Sequence, residues 1–275
     1  MGYVSGLAYV AQDRLPHNWC SGCGNGIVLG AISRAFETLN LKPNEIVVTT
    51  GIGCWGKADD YFATSALHGT HGRALSFATG VKAVNPELTV VTLMGDGDGA
   101  TIGGNHLVHA ARRNMDLTAI VVNNYNYGMT GGQYSATTPQ GKRTSTSHLG
   151  NPERELDVCS VVAASGANYV ARSTAYHVTA LEKLIVQAIE KKGFSFVEII
   201  SPCPTQYGRR NAMKIPVESM KYLKDNAVPI NKYQQLEDLD SSLIATGVLV
   251  DKSAPDFTSQ YENIRSKVLG KKEKR

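Results

Sequence analysis

Short β-branched runs that alternate with longer amphipathic stretches restrict the fold more than any other feature of this sequence. The alternation recurs from about Gly26 to Ile200, and it is typical of a parallel sheet covered by helices. The strand runs are apolar throughout, which indicates burial on both faces of the sheet. We therefore predict an α/β fold with a doubly wound, mostly parallel sheet. The predicted strands are Glu45–Thr49, Thr89–Met94, Leu117–Val122, Ala167–Ala171 and Ser195–Ile200, and the predicted helices are Asn25–Leu39, Ala58–Asn85, Gly103–Asn114, Glu155–Ser165 and Ala175–Lys191.

The chain divides into a large domain and a C-terminal segment. Its 275 residues, 42% of them hydrophobic, suit one sizeable core. From about Arg210 the helix–strand alternation fades into a more polar segment with Pro216 and Pro229. We predict one domain over residues 1–210, and over residues 211–275 an arm that covers the core or a neighbouring subunit.

Charge and hydropathy exclude several classes of protein. No stretch approaches the roughly 18 apolar residues needed to span a bilayer, and the N-terminus lacks a basic segment followed by an apolar run. These features predict a cytoplasmic protein without a membrane segment. The formal net charge of +4 is modest and gives no indication of nucleic-acid binding.

Oxygen-bearing side chains follow two consecutive strands. Asp96 lies in a glycine-rich turn directly after one strand, and Asn124 follows the next strand 28 positions later, counting 124 − 96. Adjacent parallel strands would bring both to one edge of the sheet. Asp96, the Asn124 side-chain carbonyl and the Asn126 backbone carbonyl form a ligand set that suits Mg²⁺ held against a phosphate. Two ordinary turns are the alternative.

Four of the five cysteines form a candidate metal-binding set. Cys20 and Cys23 lie in one tight loop, whereas Cys54 and Cys203 stand singly after separate strands. A zinc site or a redox pair explains the first two. If the strand ends bring all four together, they supply the thiolates of a [4Fe–4S] cluster. Cys159 lies in an apolar helical stretch, and we predict that it packs in the core.

Several motifs occur in an order that identifies a family. The chain resembles the β subunit of 2-oxoacid:ferredoxin oxidoreductases over roughly residues 15–230. The motifs that carry the resemblance are Trp19-Cys20-Ser21-Gly22-Cys23-Gly24-Asn25, Gly51-Ile52-Gly53-Cys54, His68-Gly69-Thr70-His71-Gly72-Arg73-Ala74, Gly95-Asp96-Gly97-Asp98, Arg112-Arg113-Asn114-Met115-Asp116, Tyr127-Gly128-Met129-Thr130-Gly131-Gly132-Gln133 and Ser201-Pro202-Cys203-Pro204-Thr205.

This resemblance implies a fold of the thiamine-diphosphate-binding type and three cofactors, namely thiamine diphosphate, Mg²⁺ and a [4Fe–4S] cluster. Cys20, Cys23, Cys54 and Cys203 would hold the cluster, and Asp96, Asn124 and the Asn126 carbonyl would ligate Mg²⁺. His71 and Arg73 become the candidate catalytic residues, while for His68 and His106 we retain an interior hydrogen bond. The implied cofactor contacts are Trp19, Cys20, Gly22, Ile52, Gly53, Cys54, His71, Gly95, Asp96, Gly97, Asn124, Gly128, Met129 and Thr130.

The resemblance also implies an activity and partners. The expected reaction is CoA-dependent oxidative decarboxylation of a 2-oxoacid, with electrons passed through the cluster to ferredoxin. A larger α-type subunit is expected as well, because no glutamate here stands in a recognisable context for activating the cofactor's aminopyrimidine ring. Residues 129–133 look most like the 2-oxoglutarate branch, and Gly131 occupies a position where some relatives place a substrate-binding lysine.

Three alternatives remain open at this point. Pyruvate or a branched-chain 2-oxoacid is another possible substrate. A non-oxidative thiamine-diphosphate decarboxylase or ligase would keep the cofactor without a cluster. A zinc-binding assembly subunit would use the four cysteines structurally. Iron and thiamine analysis separates these classes.

Overall fold

The computed structural model describes residues 5–238, 240 and 242–272, and a central β-sheet organises them. The strands are β1 Ile46–Thr50, β2 Ser65–His68, β3 Thr89–Gly95, β4 Thr118–Asn123, β5 Tyr169–Thr174, β6 Ser195–Ile200, β7 Ala227–Pro229 and β8 Ile244–Asp251. The helices are α1 Asn25–Thr38, α2 Ala74–Val84, α3 Gly104–Arg112, α4 Val158–Ser165, α5 Val178–Glu190, α6 Pro216–Asn226, α7 Ile230–Tyr233 and α8 Phe257–Lys272.

The sheet has eight strands in the order β2-β1-β3-β4-β6-β5-β8-β7. All neighbouring strands are parallel except β5 and β8, which run antiparallel. The predicted α/β class with a mostly parallel sheet is therefore confirmed. All five predicted strands exist, with ends that differ from the prediction by three residues at most.

Helices cover both faces of the sheet and create two apolar layers. On one face α1 and α5 pack against alternate strand residues such as Val48 and Val197. On the other face α2, α3 and α4 pack against the intervening residues, for example Met94, Val121 and Phe196. Successive strand residues point to opposite faces, so strands buried on both sides must be apolar throughout.

The predicted helix over Ala58–Asn85 is wrong. This stretch contains a short 3-10 segment, strand β2 at the sheet edge, and only then helix α2. Gly72 separates the last two with φ at +72°, a left-handed backbone conformation that favours glycine. A β-carbon on Gly69 would lie 2.6 Å from the Phe77 ring. The apolar residues on either side of these glycines therefore belong to two elements.

The C-terminal segment contributes to the same sheet. Within the predicted arm over residues 211–275, β8 pairs with β5 and β7 pairs with β8. Helix α8 then leaves the sheet, and its residues 259–270 are largely exposed. Residues 273–275 of that predicted arm, and residues 1–4 of the predicted large domain, lie outside the described part of the chain. No helix that the structure describes is both long and apolar enough to span a lipid bilayer.

Four neighbouring parallel strands end at one edge of the sheet. Strands β1, β3, β4 and β6 are consecutive in the sheet order, and their carboxyl ends are Thr50, Gly95, Asn123 and Ile200. In open α/β sheets this edge is the usual place for a ligand. The segments that follow these four strands carry most of the residues singled out in the sequence.

Candidate cofactor site

Each of the four central strands delivers one predicted ligand to the same edge. Cys54, Asp96, Asn124 and Cys203 follow β1, β3, β4 and β6 within four residues of the strand end. Because the strands are neighbours and parallel, residues far apart in the sequence come together here. The loop that precedes α1 adds Cys20 and Cys23.

Asp96 is a fully enclosed carboxylate held by neutral donors. It is 1% exposed, and its Oδ2 accepts hydrogen bonds from the hydroxyls of Ser135 at 2.5 Å and Thr137 at 2.8 Å. Its Oδ1 accepts from the Asn124 N–H at 3.3 Å. Burial raises the pKa of Asp96 to about 6 in spite of these donors. A bound cation would compensate the charge that burial disfavours.

Polar atoms of Asn124 and Asn126 lie beside the Asp96 carboxylate. One terminal amide atom of Asn124 lies 2.7 Å from the Asn126 carbonyl oxygen and 3.2 Å from Asp96 Oδ1. As a nitrogen, this atom donates to both oxygens; as an oxygen, it belongs to a cluster of three that needs a cation. Octahedral Mg²⁺ with bonds of about 2.0–2.1 Å places neighbouring ligand oxygens about 2.9 Å apart. These two separations, 2.7 and 3.2 Å, lie on either side of that value.

The turn after these ligands presents backbone donors. The N–H groups of Gly128, Met129 and Thr130 donate to no other group in the described chain. Successive free N–H groups form an anion-binding concavity, which suits a diphosphate next to the cation. Thr130 is one of the implied cofactor contacts, and its hydroxyl donates to Gln133 Oε1 at 2.6 Å in this structure.

One cavity of about 90 Å³ gathers most of the predicted cofactor contacts. Trp19, Cys20 and Gly22 do not line it, and the Trp19 indole instead donates to the Cys54 carbonyl at 2.6 Å. Arg73 also lies outside the lining, with an exposed side chain that donates to the His71 carbonyl. The predicted residues that line the cavity are Ile52, Gly53, Cys54, His71, Gly95, Asp96, Gly97, Asn124, Asn126, Gly128, Met129 and Thr130.

Two of the four predicted cluster ligands lie beside the same turn. A β-carbon on Gly128 would lie 3.5 Å from Cys203 Sγ and 3.7 Å from Cys54 Sγ, so both thiols flank that residue. Burial, together with the charge of neighbouring cysteines, raises the pKa of Cys54 to about 12 and that of Cys23 to about 11. Cys20, which is exposed, accepts from the Thr205 hydroxyl at 3.6 Å.

The spacing of these thiols differs from that in a closed four-cysteine zinc site. Four thiolates bound to one Zn²⁺ at about 2.3 Å lie about 3.8 Å from one another. Among the described residues, no three of these sulfurs lie within 4.8 Å of one another. A cubane of four irons is larger than one ion, so its four thiolates stand further apart.

Cys159 lies apart from the other four cysteines in the core. It is 1% exposed and donates to Glu198 Oε2 at 3.3 Å. Asp157, Cys159 and Glu198 approach one another closely enough for a metal site, but the Arg172 guanidinium already bridges both carboxylates, at 2.5 and 2.6 Å. A cation therefore already compensates these acidic groups.

Two further histidines received an interior assignment from the sequence. His68 is instead about half exposed and contacts Asp59 at 3.2 Å, because it ends the edge strand β2. His106 contacts the Ser76 hydroxyl at 3.0 Å near the surface. The interior assignment is thus wrong for His68, and neither residue lines the cavity.

Several residues that support the site carried no signal of their own in the sequence. Ser135 and Thr137 reach Asp96 from a loop about 40 positions later. Asp98 is the last residue of the Gly95-Asp96-Gly97-Asp98 motif, in which only the first three residues are predicted cofactor contacts. Trp55 and Tyr127 also line the cavity, and Gly97 makes room for Tyr127, whose ring would lie 2.5 Å from a β-carbon there. The adjacency of Asp98 to the Gly95-Asp96-Gly97 turn was the one available hint.

Comparison with known proteins yields a consistent set of similarities. The family described as thiamine pyrophosphate enzyme, C-terminal TPP binding domain, matches residues 47–199. The 2-oxoglutarate synthase subunit KorB of Methanocaldococcus jannaschii is 46% identical over 264 residues, which cover 95% of this chain and 97% of that protein. The KorB subunit of Archaeoglobus fulgidus is 49% identical over 218 residues, 79% of either chain.

More distant similarities extend the same pattern. A 2-oxoacid:ferredoxin oxidoreductase subunit beta of Saccharolobus solfataricus is 42% identical over 191 residues, which cover 69% of this chain and 63% of that protein. Among solved structures, the 2-oxoglutarate:ferredoxin oxidoreductase from Magnetococcus marinus with 2-oxoglutarate, coenzyme A and succinyl-CoA bound aligns with a TM-score of 0.85 and 31% identity. That alignment covers 98% of this chain and 92% of the other.

Proposed function

Since the chain belongs to the β subunits of the 2-oxoacid:ferredoxin oxidoreductases, we propose that it anchors thiamine diphosphate and carries the electron exit of an enzyme that converts 2-oxoglutarate to succinyl-CoA. The observation that carries the proposal is one edge of one sheet. There the polar atoms of Asp96, Asn124 and Asn126 converge, and the thiols of Cys54 and Cys203 lie beside Gly128 in the next turn.

The diphosphate and its cation have a defined place in the proposal. Asp96 Oδ1, the Asn124 amide oxygen and the Asn126 carbonyl would hold Mg²⁺, and the free N–H groups of residues 128–130 would hold the diphosphate. The buried Asp96 carboxylate supports this assignment, because it has only neutral hydrogen-bond donors to offset its charge. When bound, thiamine diphosphate supplies the ring that accepts the electron pair released with carbon dioxide.

The cysteine set provides the electron exit. Cys20, Cys23, Cys54 and Cys203 would hold a [4Fe–4S] cluster, and Cys54 lines the cofactor cavity itself. A cluster at this position suits a two-electron oxidation that delivers electrons one at a time to ferredoxin. Five free cysteines and no disulfide among the described residues support a reducing, cytoplasmic setting for it.

The size of the cavity supports a second chain. Pockets that enclose a ligand of this size usually measure about 300–1,000 Å³, whereas this cavity measures about 90 Å³. This chain therefore covers only a part of the cofactor, and a larger α-type subunit would cover the rest. That subunit would also supply the glutamate that the aminopyrimidine ring requires.

The choice of 2-oxoglutarate rests on similarity and on one residue. Two relatives that match 95% and 96% of this chain are named 2-oxoglutarate synthase subunits, and the aligned solved structure contains 2-oxoglutarate and succinyl-CoA. Gly131 has a φ of +118°. A β-carbon there would have one neighbouring atom within 4 Å among those described, the Gln133 side-chain nitrogen at 3.9 Å. This open position leaves room for a longer acid than pyruvate.

The test is an assay of the complex formed with its α-type chain. We expect CoA-dependent reduction of a low-potential acceptor with 2-oxoglutarate, and at least tenfold lower kcat/KM with pyruvate or 2-oxoisovalerate. Iron and thiamine should copurify. Carbon dioxide release without any acceptor reduction, in a preparation free of iron, would instead support the non-oxidative alternative.

A further inference from the structure

Asp98 is a buried carboxylate that belongs neither to the proposed Mg²⁺ ligands nor to the proposed cluster ligands. Its side chain is 1% exposed, and it lies two residues after Asp96 in the π-helical turn Gly97–Ile102. Asp98 Oδ1 accepts three hydrogen bonds: from His71 Nδ1 at 2.5 Å, from the Gly72 N–H at 2.7 Å and from the Ile52 N–H at 3.2 Å. One oxygen therefore joins the segments that follow β1, β2 and β3.

The hydrogen bond to Asp98 determines the orientation of the His71 ring. A carboxylate offers only acceptors, so Nδ1 of a neutral His71 must carry the proton. The other ring nitrogen, Nε2, makes no hydrogen bond within the described residues and keeps its lone pair. The ring lies in the lining of the cofactor cavity with its side chain 32% exposed, and it packs edge-on against Tyr127 at 6.0 Å.

The surroundings of Asp98 are costly for the fold, which indicates a role beyond packing. Its second oxygen, Oδ2, is buried and accepts no hydrogen bond in the described part of the chain. A β-carbon on Gly51 would lie 2.1 Å from that oxygen, so Gly51 is needed for the carboxylate to fit. A buried carboxylate oxygen without a hydrogen bond is destabilising, and such a group in a native protein needs an explanation, for example a role in function.

We propose that Asp98 is a positioning residue which holds His71 in one tautomer, with the unprotonated Nε2 available to accept a hydrogen bond or a proton in the cofactor cavity. The proposal rests on the proposed function, because that function places the cofactor beside His71. Asp98 also ties the Ile52 backbone, and hence the loop that carries Cys54, to the same point. A second-sphere acceptor of this kind normally fixes both the tautomer and the ring orientation of a histidine.

The test compares two substitutions of Asp98 in the assembled complex. Asp98→Asn keeps an acceptor oxygen, which the Gly72 and Ile52 N–H groups should direct to the same place. Asp98→Ala removes it. We expect kcat to fall about 10- to 100-fold in Asp98→Ala, in the range seen for lost second-sphere partners, with KM for 2-oxoglutarate nearly unchanged. Asp98→Asn should stay within about fivefold of the native enzyme.

A double substitution separates a role through His71 from an independent one. Asp98→Ala combined with His71→Gln should lose no more kcat than His71→Gln alone, because both remove the same oriented ring. Losses that multiply, or an Asp98→Asn enzyme as impaired as Asp98→Ala, would overturn the proposal. If Asp98→Ala does not assemble, Asp98→Ser replaces it, since its hydroxyl is too short to reach all three donors.

Melting temperatures of the cofactor-free complex give a measurement independent of activity. The decreases caused by Asp98→Ala and His71→Gln should be less than additive, because both remove the same hydrogen bond between His71 and Asp98; strict additivity would contradict the assignment. Asp116→Ala is the matched control, since Asp116 is another buried carboxylate that accepts a backbone N–H, from Gly193 at 2.9 Å. It should lower the melting temperature and leave kcat unchanged. A native complex without 2-oxoacid oxidation would refute the proposed function alone, and the melting data would still decide this inference.

Discussion

At the scale of single residues, the site combines chemical groups that are unfavourable in isolation. Asp96 is buried with neutral donors, and Cys23 and Cys54 are thiols whose pKa burial has raised. Each of these groups gains from a bound cation or iron. We therefore expect the chain to be more stable with the metal and the iron bound than without them, and removal of these ligands should reveal the difference in stability.

Substitution of Asp96 tests this preference. Burial raises the pKa of Asp96 from 3.8 to about 6, so the folded metal-free chain binds this proton more tightly than the unfolded chain. Stability therefore falls as pH rises from about 4 to about 6, by about 2 to 3 kcal/mol. Metal-free Asp96→Asn should exceed the native chain in stability by about 1 kcal/mol near pH 8 and lose that advantage near pH 4.

Urea unfolding without metal at both pH values measures this difference. Calorimetric titration of the same variant with Mg²⁺ and thiamine diphosphate should show no binding. Native-like affinity in Asp96→Asn would contradict the metal assignment.

Substitution of single cysteines tests the cluster. Each of Cys20, Cys23, Cys54 and Cys203, when changed to Ser, should reduce iron well below about four per chain, because a cubane requires four protein thiolates. Cys159→Ser is the matched control, since Cys159 is a cysteine of the core. Iron and sulfide analysis of the purified complexes measures the outcome. Full iron content in Cys203→Ser, or its loss in Cys159→Ser, would show that the set is wrong.

At the scale of elements, two neighbouring strands and a helix share one cation. Arg172 on β5 is the register partner of Glu198 on β6, and it also contacts Asp157, the residue that caps α4. The Arg172 and Glu198 side chains are only 15% and 2% exposed. Removal of one partner from such a buried ion pair is strongly destabilising, because the other charge is left buried and uncompensated. Glu198 in turn accepts from Asn123 at the end of β4, one residue from Asn124, a proposed metal ligand.

Removal of the cation should destabilise all three elements together. Arg172→Met is expected to cost about 3 to 5 kcal/mol, because it leaves Glu198 buried without a counter-charge. Glu198→Gln in that background should recover at least about 1 kcal/mol, since it removes the uncompensated charge. Urea unfolding measures both values. A cost below about 1 kcal/mol for Arg172→Met would argue against this view of the pair.

At the scale of the whole molecule, one edge of the sheet gathers the residues proposed to hold the cofactors. The four central strands bring Cys54, Asp96, Asn124 and Cys203 to this rim, and the loop before α1 adds Cys20 and Cys23. The cavity they enclose is too small to surround thiamine diphosphate. If the cofactor binds here as proposed, another chain would cover its remaining surface.

The chain alone should therefore be inactive. We expect no 2-oxoglutarate-dependent reduction of methyl viologen by the purified chain, and recovery of activity when an α-type subunit and coenzyme A are added. An otherwise identical mixture without coenzyme A serves as the control. Sustained 2-oxoglutarate oxidation by the purified chain would refute the requirement for a partner.

Much of the fold and of the candidate site was predictable, because its signals are local. The five predicted strands were recognisable from continuous apolar runs, and turns such as Gly95-Asp96-Gly97 follow them directly in the chain. The one wrong helix, Ala58–Asn85, shows the limit of this reasoning. Apolar spacing alone did not reveal that Gly69 and Gly72 separate an edge strand from α2.

The sequence by itself determined the parallel α/β architecture, the family, and the residues that stand at strand ends, because each depends on neighbours within a few positions. Only the tertiary structure decided what surrounds them. It placed Ser135 and Thr137 on Asp96 across about 40 residues, and it brought His71 and the Ile52 backbone to Asp98 from two other strands. The physical reason is that hydrogen bonds and burial act between groups close in space, and the order of strands in the sheet sets which groups meet.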